Sequence, residues 1–257
     1  MSVTIIDSHM HCGVQNVSLP WEEVQGRLQE GGISGACLFA PVEDIYDRYD
    51  YHFEDTASWA ACRQRANRYL LDLQHPERSR FAYYFVWNDF RKEELGKGYR
   101  GIKWHRHDYE PVYHYDDPLC EDFLQEAYRL RLPILLEESF ENTRYFIKRV
   151  EGRTPVIIPH MGMLNGGFDA LFRASVWDDG TVYTDTALAT SSEMAQFLER
   201  YGSSRLLFGS DFPFGSPRHE LQKVRNLGMN ADDFENVVSR NVLRLTGTQP
   251  SPWPLPP

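Results

Sequence analysis

Residues 3–13 read VTIIDSHMHCG, in which four apolar or β-branched residues precede an acid, Asp7. Two histidines, His9 and His11, follow with one residue between them. A short apolar run of this kind is typical of a buried strand. In a strand, residues i and i+2 point the same way, so the two histidines can bind one ion from one side. The stretch therefore predicts a buried strand that leads into a candidate metal site.

Seven further short apolar runs follow along the chain, and segments with helical periodicity separate them. The predicted strands are Val3–Asp7, Ala36–Ala40, Phe81–Val86, Gly101–Trp104, Ile134–Leu136, Val156–Ile158, Val182–Thr184 and Leu206–Phe208. The predicted helices lie near Trp21–Glu30, Thr56–Gln74, Cys120–Leu130, Thr143–Val150, Phe168–Val176, Ser192–Tyr201, Pro217–Leu227 and Ala231–Thr246.

Strands that alternate with helices favour βαβ units and a parallel sheet. Eight such units in 257 residues predict an α/β fold, a single-domain (β/α)8 or TIM barrel. An open, doubly wound sheet is the alternative, because alternation by itself does not show closure. No GxGxxG or P-loop motif supports a nucleotide-binding fold.

The predicted domain organisation is a barrel over residues 1–248 and a proline-rich tail over 249–257, QPSPWPLPP. The tail contains too much proline for a helix or a sheet. It is either a disordered end or an extended arm, and Trp253 and Leu255 favour an arm packed on the barrel or on a neighbouring subunit. Two long polar and aromatic segments, Asp44–Asp55 and His105–Pro118, are predicted loops over the mouth of the barrel, where the strands end.

The composition restricts the class of protein. Hydrophobic residues make up 42 % of the chain, with 15 Phe, 14 Tyr and 6 Trp, which argues against disorder. The net charge of −10, with no Lys/Arg cluster, disfavours nucleic acid and anionic membranes as partners. No apolar run approaches the roughly 20 residues that span a bilayer. A small-molecule substrate is the expected partner, and an acidic barrel with this tail is compatible with a homodimer.

The cysteines and the start of the chain indicate a compartment. Cys12, Cys37, Cys62 and Cys120 are widely spaced, and no CxxC motif occurs. Reduced thiols are expected, because a chain of this size does not need disulfides. Residues 1–20 contain no signal-peptide pattern. Both observations predict a cytoplasmic location.

Polar residues follow nearly every predicted strand, at the position where catalytic residues of a barrel lie. They are Asp7, His9, His11, Lys103, His105, Glu137, Glu138, His160, Asp185 and Asp211. Each has a structural interpretation by itself, as a hydrogen-bonded histidine, a solvated acid or a cap. At one mouth, however, such groups would repel or desolvate one another unless a cation organised them. Imidazole with carboxylate suits Zn²⁺, and Mn²⁺ or Fe²⁺ is less favoured.

A bound divalent ion of this kind lowers the pKa of a bound water to about 7. His160 or Asp211 could then take the proton, and Asp211 could also bind the ion. Lys103 and His105 could hold a substrate carboxylate or polarise a carbonyl. The predicted catalytic residues are therefore Asp211 and His160, and the predicted substrate-binding residues are Lys103 and His105.

Five motifs, IIDSHMH, GIKWH, PVIIPHMG, LLFGSDFPFG and VVSRNVLRLTG, span residues 3 to about 247. Together they resemble the amidohydrolase superfamily, and in particular its amidohydrolase-2 branch, which includes aminocarboxymuconate semialdehyde decarboxylase-like enzymes. The resemblance implies a distorted (β/α)8 barrel with a divalent metal, commonly zinc. It implies that His9, His11 and Asp211 bind the metal, and that His160 lies beside the metal water as base or electrophile.

The fifth strand departs from the family pattern. In the family it normally ends in a metal-binding histidine, whereas here Glu137 follows Pro133-Ile134-Leu135-Leu136. Glutamate can bind Zn²⁺ through oxygen. Its negative charge could favour Mn²⁺. The glutamate could also bridge two ions, or the metal site could be weakened. Lys103 could correspond to the carboxylated lysine of two-metal amidohydrolases, but its GIK context in this branch favours a substrate or structural role.

The leading hypothesis is a metal-dependent hydrolase that attacks an ester, lactone or amide carbonyl with a metal-activated water. A metal-dependent, non-oxidative decarboxylase of a small carboxylic acid is the alternative enzyme. A non-catalytic binding barrel is the alternative of another class. The segment His105–Tyr115, HRHDYEPVYHY, either contacts a planar or anionic substrate or is a tyrosine-rich loop that packs over the barrel.

Overall fold

A computed structural model describes residues 3–13, 19–50, 52–106 and 111–247. Eight strands among these residues form one sheet in sequential order, and each neighbouring pair is parallel. They are β1 Ile6–His11, β2 Gly35–Phe39, β3 Arg80–Phe85, β4 Gly101–His105, β5 Ile134–Glu137, β6 Val156–Ile158, β7 Val182–Asp185 and β8 Leu206–Leu207.

The sheet closes nearly completely between its first and last strands. The Ser8 N–H donates to Phe208 O, just after β8, at 2.8 Å, and the His11 N–H donates to Phe212 O at 2.8 Å. The chain therefore folds as the predicted single-domain (β/α)8 barrel, and the open, doubly wound alternative is wrong.

The helices follow the strands around the outside of the barrel. Within the described residues the α-helices are α1 Trp21–Gly31, α2 Ala57–Leu73, α3 Lys92–Leu95, α4 Pro118–Leu130, α5 Phe140–Val150, α6 Phe168–Arg173, α7 Ser191–Tyr201, α8 Pro217–Arg225, α9 Ala231–Glu235 and α10 Asn241–Leu245. The predicted last helix, Ala231–Thr246, is helical from Ala231 to Leu245, and a π-helical turn over Asn236–Arg240 joins α9 to α10. The short helix α3 has too few residues for its periodicity to be read from the sequence.

The prediction of the first strand needs correction. Val3 is exposed, and β1 begins at Ile6 and continues to His11. The backbone of Met10 and His11 pairs with Leu38 and Phe39 of β2, so the polar residues belong to the strand itself. The end of the apolar run therefore did not mark the end of the strand. Buried polar side chains that have hydrogen-bond partners can continue a strand as apolar side chains do.

Alternation along the strands places the apolar core and the polar site at different levels of the barrel. Inward-facing Phe39, Tyr83, Leu135 and Tyr183 belong to a cluster that fills the barrel interior. Residues two positions apart share a face of a strand. On β5 and β7 the inward positions that follow Leu135 and Tyr183 are therefore polar, and they lie at the carboxyl ends of the strands. A second, larger apolar cluster packs between the strands and the helices.

Gly101 starts β4 where the ring of Tyr83 crosses the barrel interior, and a Cβ at residue 101 would overlap that ring. We expect Gly101→Ala to lower the free energy of unfolding by about 1–3 kcal/mol through overpacking. Urea denaturation measures this change. Gly26→Ala is the control, because a Cβ at Gly26 in α1 meets no atom within 4 Å. It should stabilise the protein by about 0.5–1 kcal/mol, and equal effects of the two substitutions would contradict the packing argument.

The structure bears on the predictions about cysteines and membrane spans, but it does not test the predicted location or the predicted tail. The four cysteines are free, and three of them are buried. No helix in the described ranges has both the length and the apolar character that crossing a membrane requires. The cytoplasmic location remains a prediction. The tail 249–257 and residues 107–110 of the predicted loop over the mouth lie outside the described residues.

Candidate active site

The mouth of the barrel gathers every polar residue that the sequence singled out for the site. His9 and His11 lie on β1, Lys103 and His105 on β4, and Glu137 on β5, while His160 and Asp211 lie in the segments after β6 and β8. All seven are buried, with at most 7 % of their surface exposed. The closed barrel brings these residues together although they are far apart in the chain.

One group of side-chain atoms is suited to a metal ion. Asp211 Oδ1 lies 3.2 Å from His11 Nε2 and 3.4 Å from His9 Nε2. The ligand atoms that these three residues offer all lie within 4.8 Å of one another. A second group of this kind within the described residues consists of His9, His160 and Asp185.

The hydrogen bonds of the imidazoles favour the first group. His9 Nδ1 lies 2.9 Å from Asp185 Oδ2, and His11 Nδ1 lies 3.1 Å from Ala40 O. A carbonyl oxygen only accepts, so Nδ1 of His11 carries the proton and Nε2 presents a lone pair. Metal-binding histidines usually donate their second N–H to a carboxylate or a backbone carbonyl in this way. The donor set of His9, His11 and Asp211 therefore fits a divalent ion, whereas Asp185 already serves as an acceptor.

Asp185 at the end of β7 is a positioning residue that the sequence analysis noted but did not assign to the site. Its Oδ1 accepts the backbone N–H of His160 at 2.8 Å and that of Ala187 at 3.1 Å, while Oδ2 meets the ring of His9. One carboxylate thus orients two of the site's histidines. Its position at a strand end was the available signal, but only the structure shows which atoms it contacts.

We expect Asp185→Asn to lower the affinity for Zn²⁺ by about 10–100-fold, because the His9 ring loses the acceptor that orients it. Competition with a colorimetric chelator measures the dissociation constant. Asp169→Asn is the matched control, since Asp169 is exposed on α6. Equal affinities of the two variants would contradict the positioning role.

Asp7 connects β1 to the loop that carries Asp211. Its Oδ1 accepts the backbone N–H of His9 and that of Ser210, both at 3.0 Å. Burial raises the pKa of Asp7 to about 7. The contacts hold the two metal-binding segments in register, so Asp7 has a structural function beside the site.

Glu137 lies in the same cluster but has other partners. It forms a close ion pair with Lys103, and its Oε2 lies 3.1 Å from His105 Nε2. Its Oε1 is 3.9 Å from His9 Nε2 and 3.8 Å from His160 Nε2. The metal group of His9, His11 and Asp211 therefore forms without it, and metal binding by Glu137 stays a prediction.

Lys103 contacts His9 of the metal group in addition to its ion pair with Glu137. Its Nζ lies 3.2 Å from His9 Nε2, on the side of the imidazole that would face an ion. The ammonium of Lys103 thus balances the carboxylate of Glu137 next to the candidate metal centre. The predicted contact of Lys103 and His105 with substrate stays a prediction.

Burial and the neighbouring charges set the ionisation of the cluster. Burial, with the Lys103 ammonium, holds the pKa of His9 well below its usual value, so this imidazole is neutral. Burial alone would raise the pKa values of Asp211 and Glu137. Nearby histidines hold the pKa of Asp211 below its usual range, and Lys103 with nearby histidines does so for Glu137. Burial would lower the pKa of His160, but the Glu137 carboxylate raises it to about 9.

Two site residues have backbone conformations that residues other than glycine seldom adopt. The φ angles are 57° at His160 and 55° at Asp211, and Met161 follows with 51°. Such left-handed residues persist only where the surrounding structure holds them, and they cluster at functional sites. Both predicted catalytic residues are thus held at sharp turns in the segments that follow their strands.

The rim of the mouth combines an aromatic ring and a cation. Phe214 is half exposed and stands edge-on to His11, with the ring centroids 6.0 Å apart. The guanidinium of Arg48 lies 5.7 Å from the Phe214 ring and forms an ion pair with Glu43 at 3.0 Å. This rim offers a planar surface, and a guanidinium paired with Glu43, beside the candidate metal centre.

Two tyrosines of the predicted loop over the mouth pack rather than line it. The Tyr113 hydroxyl donates to Val86 O and His105 O, and the Tyr115 hydroxyl donates to Glu138. Both rings lie against Trp104 in the outer core. The packing interpretation is therefore right for these two residues, while residues 107–110 lie outside the described part of the chain.

An eight-stranded parallel barrel with two histidines on β1, a histidine after β6 and an aspartate after β8 defines a class of barrel proteins with a candidate metal centre. The chain belongs to the amidohydrolase family (Amidohydro_2), whose model matches residues 6–245. This match confirms the resemblance that the five motifs indicated.

Several solved structures share the fold. The 2,6-dihydroxybenzoate decarboxylase from Rhizobium superposes with a TM-score of 0.72 at 14 % identity, over 96 % of this chain and 99 % of that one. A Pseudomonas putida protein assigned as a 2-pyrone-4,6-dicarboxylic acid hydrolase gives 0.69 at 18 %, over 98 % and 100 %. A dihydroxybenzoic acid decarboxylase from Polaromonas with bound manganese gives 0.69 at 14 %, over 96 % and 97 %. No curated protein sequence matched the chain.

Proposed function

We propose that this amidohydrolase-family chain is a metal-dependent hydrolase that acts on an ester, lactone or amide carbonyl of a small molecule. The observation that carries the proposal is the convergence of His9 Nε2, His11 Nε2 and Asp211 Oδ1, with both Nδ1 atoms held by acceptors. Zinc is the first candidate for this donor set and manganese the second. A divalent ion held there would polarise the substrate carbonyl and acidify the attacking water.

The protein's own groups supply the proton transfers. Nearby histidines hold the pKa of Asp211 below its usual range, so the carboxylate is ionised. It lies at the site, where it would accept the proton of the attacking water. His160 lies beside His9, with ring centroids 4.8 Å apart, and its Nδ1 lies 3.1 Å from Ala187 O. Its Nε2 therefore faces the mouth, where it can hydrogen-bond to the carbonyl or the leaving group.

Substrate binding involves the β4 side and the rim of the mouth. We propose that Lys103 and His105 contact a polar oxygen of the substrate from β4, as both are buried at the site. Phe214 and Arg48 would accommodate a planar or anionic portion of the substrate. A cation–π or ionic contact at a partly exposed rim contributes about 0.5–1 kcal/mol.

Non-oxidative decarboxylation is the second candidate function. Two observations favour it: the structural similarity to the two benzoate decarboxylases, and the buried cation Lys103 beside the metal group, which suits a carboxylate substrate. The products separate the two reactions, because hydrolysis releases an acid with an alcohol or amine, and decarboxylation releases CO₂.

Elemental analysis of protein purified without chelator tests the metal dependence. We expect about one equivalent of zinc or manganese in the wild type, which three protein ligands with an open position would hold. His11→Ala should lose most of it. Removing the metal with a chelator should lower the midpoint of thermal unfolding, and Zn²⁺ should restore it, because a ligand of the native state stabilises that state.

The same preparations then decide between enzyme and scaffold. Wild-type protein that contains no metal, and takes up none when it is added, would contradict the proposal and favour the non-catalytic binding barrel. A panel of lactones, esters, amides and aromatic acids, assayed for released acid and for CO₂, separates hydrolase from decarboxylase.

A further inference from the structure

The ammonium of Lys103 is held beside the candidate metal centre by contacts on three sides. It forms a close ion pair with Glu137, its Nζ lies 3.2 Å from His9 Nε2, and it lies 5.2 Å from the centroid of the Phe39 ring. The residue is only 1 % exposed. An ammonium has three N–H donors and no acceptor, and a carboxylate, an imidazole nitrogen and an aromatic face suit all three. Lys103 is therefore a fixed cation of the site.

The contact with Lys103 determines how the lone pair of His9 is used. Because an ammonium only donates, His9 Nε2 accepts, and the ring proton is on Nδ1, which lies 2.9 Å from Asp185 Oδ2. A neutral imidazole has one ring nitrogen with a free lone pair. That nitrogen, Nε2, is also the one that His9 would offer to a metal ion. The ammonium and an ion therefore need the same electron pair.

The charge of Lys103 acts in the same direction as its hydrogen bond. His9 Nε2 lies 3.4 Å from Asp211 Oδ1, and both atoms are acceptors, so a cation bound there would contact both. A divalent ion at this position and the ammonium of Lys103 repel each other, and burial leaves that repulsion poorly screened. Lys103 thus opposes an ion at His9 through its hydrogen bond and through its charge.

We propose that Lys103 limits the metal affinity of the site, because its ammonium competes with the ion for His9 Nε2. This inference rests on the metal site of the proposed function and goes beyond it. His9, His11 and Asp211 determine where the ion binds, and Lys103 determines how tightly it is held. Glu137 supports the competition, since its carboxylate keeps the ammonium beside His9. The glutamate at the end of β5 thus holds a competitor of the ion.

Competition with a colorimetric chelator, on full-length protein stripped of metal, measures the dissociation constant for Zn²⁺. We expect Lys103→Met to lower this constant by about 10–100-fold, the range that a hydrogen bond to a charged group contributes. Damage to the fold can only weaken binding, so tighter binding identifies the competition. Lys92→Met is the control and should leave the constant unchanged, because Lys92 pairs with Asp122 and both side chains are more than half exposed.

The double variant Lys103→Met/Glu137→Gln separates competition by Lys103 from metal binding by Glu137. It removes the competitor without a change in net charge, and it leaves no buried charge uncompensated if Lys103→Met alone does not fold. We expect its dissociation constant for Zn²⁺ to be about tenfold below that of the wild type, since the same hydrogen bond is lost. If a freed Glu137 carboxylate causes the gain in Lys103→Met, the double variant will bind Zn²⁺ more weakly than the wild type, and the proposal is overturned.

Two other outcomes overturn the proposal. Equal or weaker binding of Zn²⁺ by the folded variants, with binding by the wild type, would refute the competition and leave the metal site intact. Absence of Zn²⁺ binding in the wild type and in both variants would refute the metal site itself, and the competition with it. Failure of this inference alone is therefore distinguishable from failure of the proposed hydrolase.

Discussion

Asp211→Asn is expected to abolish turnover while the barrel remains folded. The substitution removes the carboxylate that lies 3.2 Å from His11 Nε2 and that we assign to proton transfer. Loss of proton transfer alone lowers kcat/KM by about 10²–10⁴-fold, and loss of a metal ligand adds to this. Asparagine is the suitable replacement, because residue 211 has a φ of 55°, a conformation that asparagine tolerates.

The measurement is kcat/KM on any substrate that the wild type hydrolyses, together with metal content and the midpoint of thermal unfolding. Asp169→Asn, on the exposed face of α6, should leave all three unchanged. Full activity of Asp211→Asn would refute the assignment of Asp211. Lost activity with an unfolding midpoint well below that of the metal-free wild type would show a structural function instead.

Separating Lys103 from Glu137 is expected to have the largest effect on stability. Both side chains are buried, and each neutralises the other. Removing one partner of a buried ion pair costs about 3–5 kcal/mol, because the other charge stays buried without compensation. We therefore expect Lys103→Met and Glu137→Gln each to lower the free energy of unfolding by about that amount.

A double-mutant cycle tests this coupling by urea denaturation. The double variant Lys103→Met/Glu137→Gln should be much more stable than the sum of the single effects implies. The exposed pair Arg68–Asp72 on α2 is the control, and its coupling should be only about 0.3–0.5 kcal/mol. Additive losses at Lys103 and Glu137 would contradict the ion-pair interpretation.

The same variants address the departure from the family pattern at β5. If Glu137 binds the metal, Glu137→Gln should lower the metal affinity beyond any effect on folding. Unchanged metal occupancy would argue against that role and leave Glu137 as the counter-ion of Lys103. Glu137→His restores the residue type that the resemblance implies at this position, and it tests whether the glutamate tunes the choice of metal.

The sequence by itself determined the barrel and most of the residues of its mouth. The alternation of short apolar runs with amphipathic segments predicted eight βα units, because short apolar runs are typical of buried strands and the amphipathic segments have the periodicity of helices. The spacing of His9 and His11 placed both rings on one side of a strand. His160 and Asp211 lie in the segments just after their strands, so the topology of a barrel was sufficient to assign them to the same site.

Only the tertiary structure decided which of these polar groups contact one another. Asp185, Ala40 and Ala187 orient the three imidazoles through atoms that have no signal in the sequence. The ion pair of Glu137 with Lys103 likewise depends on the register between β4 and β5. The periodicity of the sequence predicts the face of a strand or helix on which a side chain lies. A hydrogen bond also requires two atoms from distant segments at about 3 Å, and closure of the barrel sets that distance.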